Sequence, residues 1–145
     1  MNALTQPRVG ALSLTRAQHD LATARQLFDA TLGFVRQQVH IAHDPLVISR
    51  FGDLHIRIEV AVALLERAEG SLAGTDDDAE ISVAVAESHL ASADALSAAS
   101  NAEFELTGQR TALPGSVDDP LRAKQQLIGN FRLNGIHPPS FRSAG

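Results

Sequence analysis

With 145 residues, 44% of them apolar, the chain has the size and hydrophobic content of one ordinary domain that builds its core without staples. It has no Cys, which excludes disulfides and thiolate metal sites and leaves no requirement for an oxidising compartment. A formal charge of −5 with scattered Lys and Arg disfavours nucleic acid; without a signal-peptide-like run or the roughly eighteen apolar residues of a membrane span, a cytoplasmic protein is expected.

Residues 1–13 carry Pro7 and Gly10 without a sustained period and read as a flexible leader. A helix is predicted from Leu14 or Thr15 to about Val39. Leu14, Ala17, Leu21, Ala24, Phe28, Thr31 and Val35 recur at steps of three and four, and Leu27 and Phe34 widen that stripe. Asp44 then offers a cap for free backbone N–H groups, and Pro45 suits the first helical position, where its missing N–H costs nothing. In the long helix that follows, Val47, Phe51, Leu54, Ile58, Ala61, Leu65, Ala68 and Leu72 mark the buried seam, and Gly74 supplies the stop.

Asp76, Asp77 and Asp78 suit the positive end of the next helix, which is predicted to reach Leu106 and to stop at Gly108. This helix is rich in Ala and Ser, so its neighbours must approach closely to leave no void, and a central place in the fold is expected. Gln109 to Val117, with Pro114 and Gly115, reads as a loop. Asp118 or Asp119 before Pro120 repeats the cap-and-proline device and opens a fourth helix through Leu133, closed by Asn134 and Gly135. The expected fold is all-α, an antiparallel four-helix bundle over residues 14–139, followed by a tail at 140–145.

Clusters with metal-ligand chemistry have ordinary explanations. His40, His43 and Asp44 straddle a helix end, where a cap and two solvated imidazoles suffice. His55 and Glu59 are one turn apart but lack further ligands, and the Asp76 to Asp78 run lacks the Gly and Glu spacing of a calcium loop. No metal site is expected. No nucleophile elbow, Walker loop or dinucleotide-binding glycine pattern occurs.

Asp118-Asp119-Pro120-Leu121-Arg122-Ala123-Lys124, then Ile128-Gly129-Asn130-Phe131-Arg132-Leu133-Asn134-Gly135-Ile136 and Pro138-Pro139, form the most specific pattern in the chain. Asp44-Pro45 with Phe51-Gly52-Asp53-Leu54, Ala63-Leu64-Leu65-Glu66-Arg67-Ala68, and Phe104-Glu105-Leu106-Thr107-Gly108-Gln109-Arg110 accompany it. Together, from about Leu14 to Pro139, they resemble the C-terminal helical domain of the acyl-CoA dehydrogenase superfamily. The branch is that of flavin-dependent monooxygenases of the dibenzothiophene and sulfur-acquisition type. The resemblance implies a bundle that packs, in complete members, against an N-terminal helical domain and a middle β-domain, with FAD or FMN between them and at a subunit boundary. It also implies a homo-oligomer, commonly a tetramer, or here a separately encoded chain bearing the N-terminal and middle domains. Gly108, Arg110 and Thr111 fall in the turn that in the family approaches the flavin phosphates; no catalytic residue carries over.

Two departures qualify this. The chain begins with Met and matches only the bundle, so the β-domain that covers the flavin is expected to be missing. Thr111-Ala112-Leu113 also reaches Asp118-Asp119-Pro120 through only four residues, where the family usually carries a longer polar stretch near flavin and substrate. The resemblance therefore implies a truncated or split oxidoreductase part, inactive alone. The alternative is a stand-alone helical module for self-association or protein interaction, without catalysis. As a solvated loop charge, Arg110 is expected to contribute no more than about half a kcal/mol to stability.

Overall fold

The computed structural model describes residues 13–113 and 121–138, and these fold into five helices that pack together, with no strand among them. In chain order they are α1 (Thr15–Arg36), α2 (Val39–Ala42), α3 (Pro45–Ala73), α4 (Asp78–Thr107) and α5 (Leu121–Asn134). The proposed leader up to Leu12, the Asp118-Asp119-Pro120 helix start and the tail lie outside the described residues.

The buried stripe of α1 holds Ala17, Leu21, Ala24, Leu27, Thr31 and Val35, as its three-four spacing predicts. Phe34 departs from that expectation and is 41% exposed. The helix also stops at Arg36 rather than continuing to Val39. The stripe has run out at Val35, and the Gln37 and Gln38 N–H groups turn back to the carbonyls of Phe34 and Val35 at 3.2 and 2.8 Å. A single separate turn, α2, follows and buries nothing.

At the start of α3 the Asp44 carboxylate accepts from the Leu46 N–H at 2.8 Å, with Pro45 at the first helical position. The cap satisfies one of the donors that a helix start leaves without an intrahelical partner. Asp44→Ala is expected to cost about 1 kcal/mol, read as a lower urea midpoint with an unchanged slope. The α3 seam buries Leu54, Ile58, Ala61 and Ala68, with Val47, Phe51 and Leu65 half-buried, whereas Leu72 in the last turn is 38% exposed. Gly74 ends α3 with an ordinary negative φ; a side chain there would bring its Cβ to 3.1 Å from the Gly70 carbonyl oxygen.

Asp77 caps α4 by accepting from the Glu80 N–H at 2.9 Å, and Asp78 and Glu80 place negative charge against the helix dipole. Thirteen residues of α4 are buried, among them Ala79, Ala84, Ala86, Ala95, Ala99 and Ala102. The helix packs against α1, α3 and α5. Short side chains on several sides let three neighbours approach one axis, which gives the Ala-rich helix its central place. The larger core cluster joins Leu21, Ala24 and Leu27 of α1, Leu54, Ile58 and Ala61 of α3, and Ala95, Ala99 and Ala102 of α4. A smaller one joins Leu14, Ala68, Ile81, Ala84 and Val85, and Leu65 packs against both. Among the described residues, no helix is long and apolar enough to cross a membrane.

Candidate functional site

The C-terminal end of α4 and the turn after it bring together the three residues that the sequence resemblance singles out. Gly108 adopts φ +76°, the left-handed conformation that stops a helix, and its N–H reaches the Phe104 carbonyl at 2.9 Å. The Thr107 hydroxyl donates to the Glu103 carbonyl at 2.7 Å and accepts from the Gln109 N–H at 3.1 Å, which closes the turn. The chain thus doubles back along α4, and Leu113 packs against the larger core cluster.

Two contacts hold the returning segment. Glu103, buried near the end of α4, receives the Thr111 N–H on one carboxylate oxygen at 2.6 Å and the Thr111 hydroxyl on the other. A buried carboxylate with both oxygens engaged avoids the desolvation cost of an unsatisfied charge. Arg110 donates from Nη1 to the Ser100 hydroxyl at 2.8 Å and from both terminal nitrogens to Asn101 Oδ1 at 3.3 Å. Its guanidinium carbon also lies 5.1 Å from the centre of the Phe104 ring. Arg110 is therefore not the unattached loop charge of the sequence expectation. A cation over an exposed aromatic face is worth about 0.5–1 kcal/mol, so its removal costs more than a solvated charge would.

Arg110 lines a groove of about 410 Å³ with Arg16, Asp20, Ser97, Ser100 and Asn101; neither Gly108 nor Thr111 lines it. Asp20 is buried at 3% exposure and accepts from Arg16 Nε at 2.9 Å, so its charge is paired. Two guanidiniums and two serine hydroxyls around one groove are donors suited to a phosphate or carboxylate. Of the three predicted residues, Arg110 is the one that lines this groove. Thr111 holds the turn through Glu103, and Gly108 provides the reversal.

A second groove, of about 350 Å³, includes Asp53, Arg57, Asp94 and Glu105. There Arg57 pairs with Asp53 and Asp94 at 2.9 Å each, and Arg50 with Glu105 at 2.8 Å. The hydrogen bond from Arg57 to Asp53, then that to Asp94, raises the Arg57 pKa above its ordinary value. Arg57–Asp94 and Arg50–Glu105 link α3 to α4, whereas Arg57–Asp53 lies within α3; all three are solvent-exposed, and each is worth about 0–1 kcal/mol. Near the start of α3, His40 and His43 are exposed and the Asp44 carboxylate serves as a cap. His55 is exposed with its ring 6.2 Å from that of Phe28. No group of three or more His, Asp or Glu side chains that could hold a metal ion is found among the described residues.

Ser100, Asn101, Glu103 and the Arg16–Asp20 pair are the groove and turn residues that sequence reasoning missed. The one signal available for them was an Asp beside the apolar stripe of α1 with an Arg four residues before it, the spacing of a helical ion pair. No protein-family model matches the chain, and no curated protein and no solved structure matches it either.

Proposed function

We propose that the chain is a helical bundle of the acyl-CoA dehydrogenase type, with α1, α3, α4 and α5 as its antiparallel four helices. It serves as one part of a cytoplasmic flavin-dependent oxidoreductase or monooxygenase and is inactive alone. The sequence pattern around Gly108 and from Leu121 to Pro138 motivates this reading, and the placement of Arg110 carries it. Arg110 lies at a groove that also contains Arg16, Ser97 and Ser100, a donor set that fits the phosphate end of FAD or FMN. Among the described residues the groove offers no aromatic ring to stack on a flavin, and in this reading the remaining walls come from another copy or from a chain carrying the other family domains. When bound, the flavin supplies the redox chemistry. Arg110 binds and orients its phosphate, while Glu103 and Thr111 hold the turn from which Arg110 projects.

The test is a titration of the purified chain with FAD and with FMN, followed by absorbance, with turnover assayed in parallel. Because the chain supplies only one wall of the site, at most weak binding and no turnover are expected, and Arg110→Ala is expected to lower any measurable affinity roughly tenfold, as for a lost charge-assisted hydrogen bond. The same variant should lose about 1 kcal/mol of stability with its contact to Phe104. Absence of binding at ~1 mM flavin, weaker than any useful cofactor affinity, removes Arg110 from a cofactor role. Turnover by the chain alone defeats the incomplete-part reading.

A second reading, a helical module for self-association or protein interaction, is favoured by the apolar side chains that α3 leaves outside. Leu46 is 81%, Ile48 56% and Ile56 62% exposed.

A further inference from the structure

We infer that Asn134 is a site of spontaneous deamidation, at which its side chain closes on the Gly135 nitrogen and ends as aspartate or isoaspartate, and that this change loosens α5. The inference is independent of both the flavin reading and the interaction-module one.

Asn134 is the last residue of α5, and Gly135 follows it at φ +67°, the left-handed conformation that ends a helix. Both are exposed. Because Gly135 has no side chain, its nitrogen is open to attack on the carboxamide carbon of the residue before it. The other described asparagines, Asn101 and Asn130, lie inside helices and are followed by Ala102 and Phe131, whose nitrogens belong to the helical hydrogen-bond ladder. Asn101 is also held by Arg110 through its Oδ1. Asn134 donates from Nδ2 to Asn130 Oδ1 at 3.2 Å, and the Ile136 N–H closes the turn on the Asn130 carbonyl at 3.1 Å. For ring closure the backbone at Asn134 must leave its helical value, so the last turn has to open. That opening is cheap, because helix ends fray and α5 buries no residue.

The Gly135 nitrogen, having lost its proton to hydroxide, bonds to Cγ of Asn134. The bond from Cγ to the side-chain nitrogen then breaks, and ammonia leaves with a proton taken from water. Water next adds to one of the two carbonyls of the imide ring and breaks that carbonyl's bond to nitrogen. Opening at the side-chain carbonyl leaves aspartate, and opening at the main-chain carbonyl leaves isoaspartate, with an extra carbon in the path of the chain. Either product sets a negative charge at the C-terminal end of a helix, where the dipole opposes it. Isoaspartate also lengthens the chain across the turn that Ile136 closes and that brings the His137 ring to 5.4 Å from the Phe131 ring.

The full chain is incubated at neutral and at mildly alkaline pH and sampled by peptide mapping that separates asparagine, aspartate and isoaspartate. Conversion at Asn134 is expected ahead of Asn101 and Asn130 and faster at the higher pH. Its rate should be no less than about a tenth of that in a short synthetic peptide spanning Leu133 to His137, since only the last turn must open. Gly135→Ala should slow it roughly tenfold or more, although the left-handed turn disfavours alanine and lets the helix end fray. Asn134→Asp supplies one product outright and should speed hydrogen exchange of the α5 amides roughly two- to fivefold, leaving the middle of α4 unchanged. A rate at Asn134 below that bound, or a Gly135→Ala variant that converts as fast as the parent, overturns the site. Unchanged α5 exchange both in Asn134→Asp and in the aged protein overturns its effect on the fold.

Discussion

Leu54→Asp is expected to unfold the domain or to lower its stability by several kcal/mol, about 3–5 where a buried charge is left unpaired. Leu54 is 2% exposed and lies in the core cluster with Leu27, Ala61, Ala95 and Ala99. A carboxylate there would lose its water and gain no partner from the apolar groups around it. Arg57 and Arg50 stand on the same helix, but both are already engaged, with Asp53 and Asp94 and with Glu105. Ile58→Asp, at 4% exposure in the same cluster, should behave alike. Circular-dichroism melts of both variants that superimpose on the parent would show that the inner stripe of α3 is misassigned.

The second large effect comes from adding volume instead of charge. Ala99 is 1% exposed at the place where α4 meets α1 and α3, in one cluster with Leu21, Leu27, Leu54 and Ile58. Ala99→Leu would push three carbons between helices whose separation is set by the small side chain, and overpacking of this kind typically costs about 1–3 kcal/mol. Ala98→Leu, one residue along and only half-buried, is the control and should cost clearly less. Urea denaturation of the two variants decides the matter. Equal midpoints would mean that α4 does not depend on small residues to sit between its neighbours.

Much of this arrangement is legible in the sequence because periodicity and capping are local. The seam through Leu54, Ile58, Ala61 and Ala68, the Asp44 cap before Pro45 and the Gly108 stop follow from spacing and from residue chemistry. The break after Arg36 does not, because Val39 prolongs the apolar spacing of α1 and yet is left 66% exposed. Phe34 and Leu72 lie in the last turns of α1 and α3 and share a face with buried residues, yet they are 41% and 38% exposed, so spacing alone overstates their burial. At the candidate site, a glycine after a long helix announces the turn that gathers Gly108, Arg110 and Thr111. That Glu103 captures Thr111, and Ser100 and Asn101 capture Arg110, depends on the chain doubling back at that turn. Residues eight to ten apart in sequence then meet, a spacing for which a helical reading has no rule.

The central position of α4 also ranks the parts of the molecule by how readily they open. Helix α5 contains no buried residue, and its packing is chiefly on α4, with Arg132 reaching Glu80 at 3.2 Å. Its departure would uncover one side of α4 and leave the Leu54, Ile58 and Ala99 cluster whole. Opening of α5 is therefore a sub-global event, whereas release of α4 separates all of its neighbours and amounts to global unfolding. The amides of Leu121–Asn134 accordingly exchange with solvent through an inexpensive local excursion. Those of the middle of α4 wait for the whole domain to come apart.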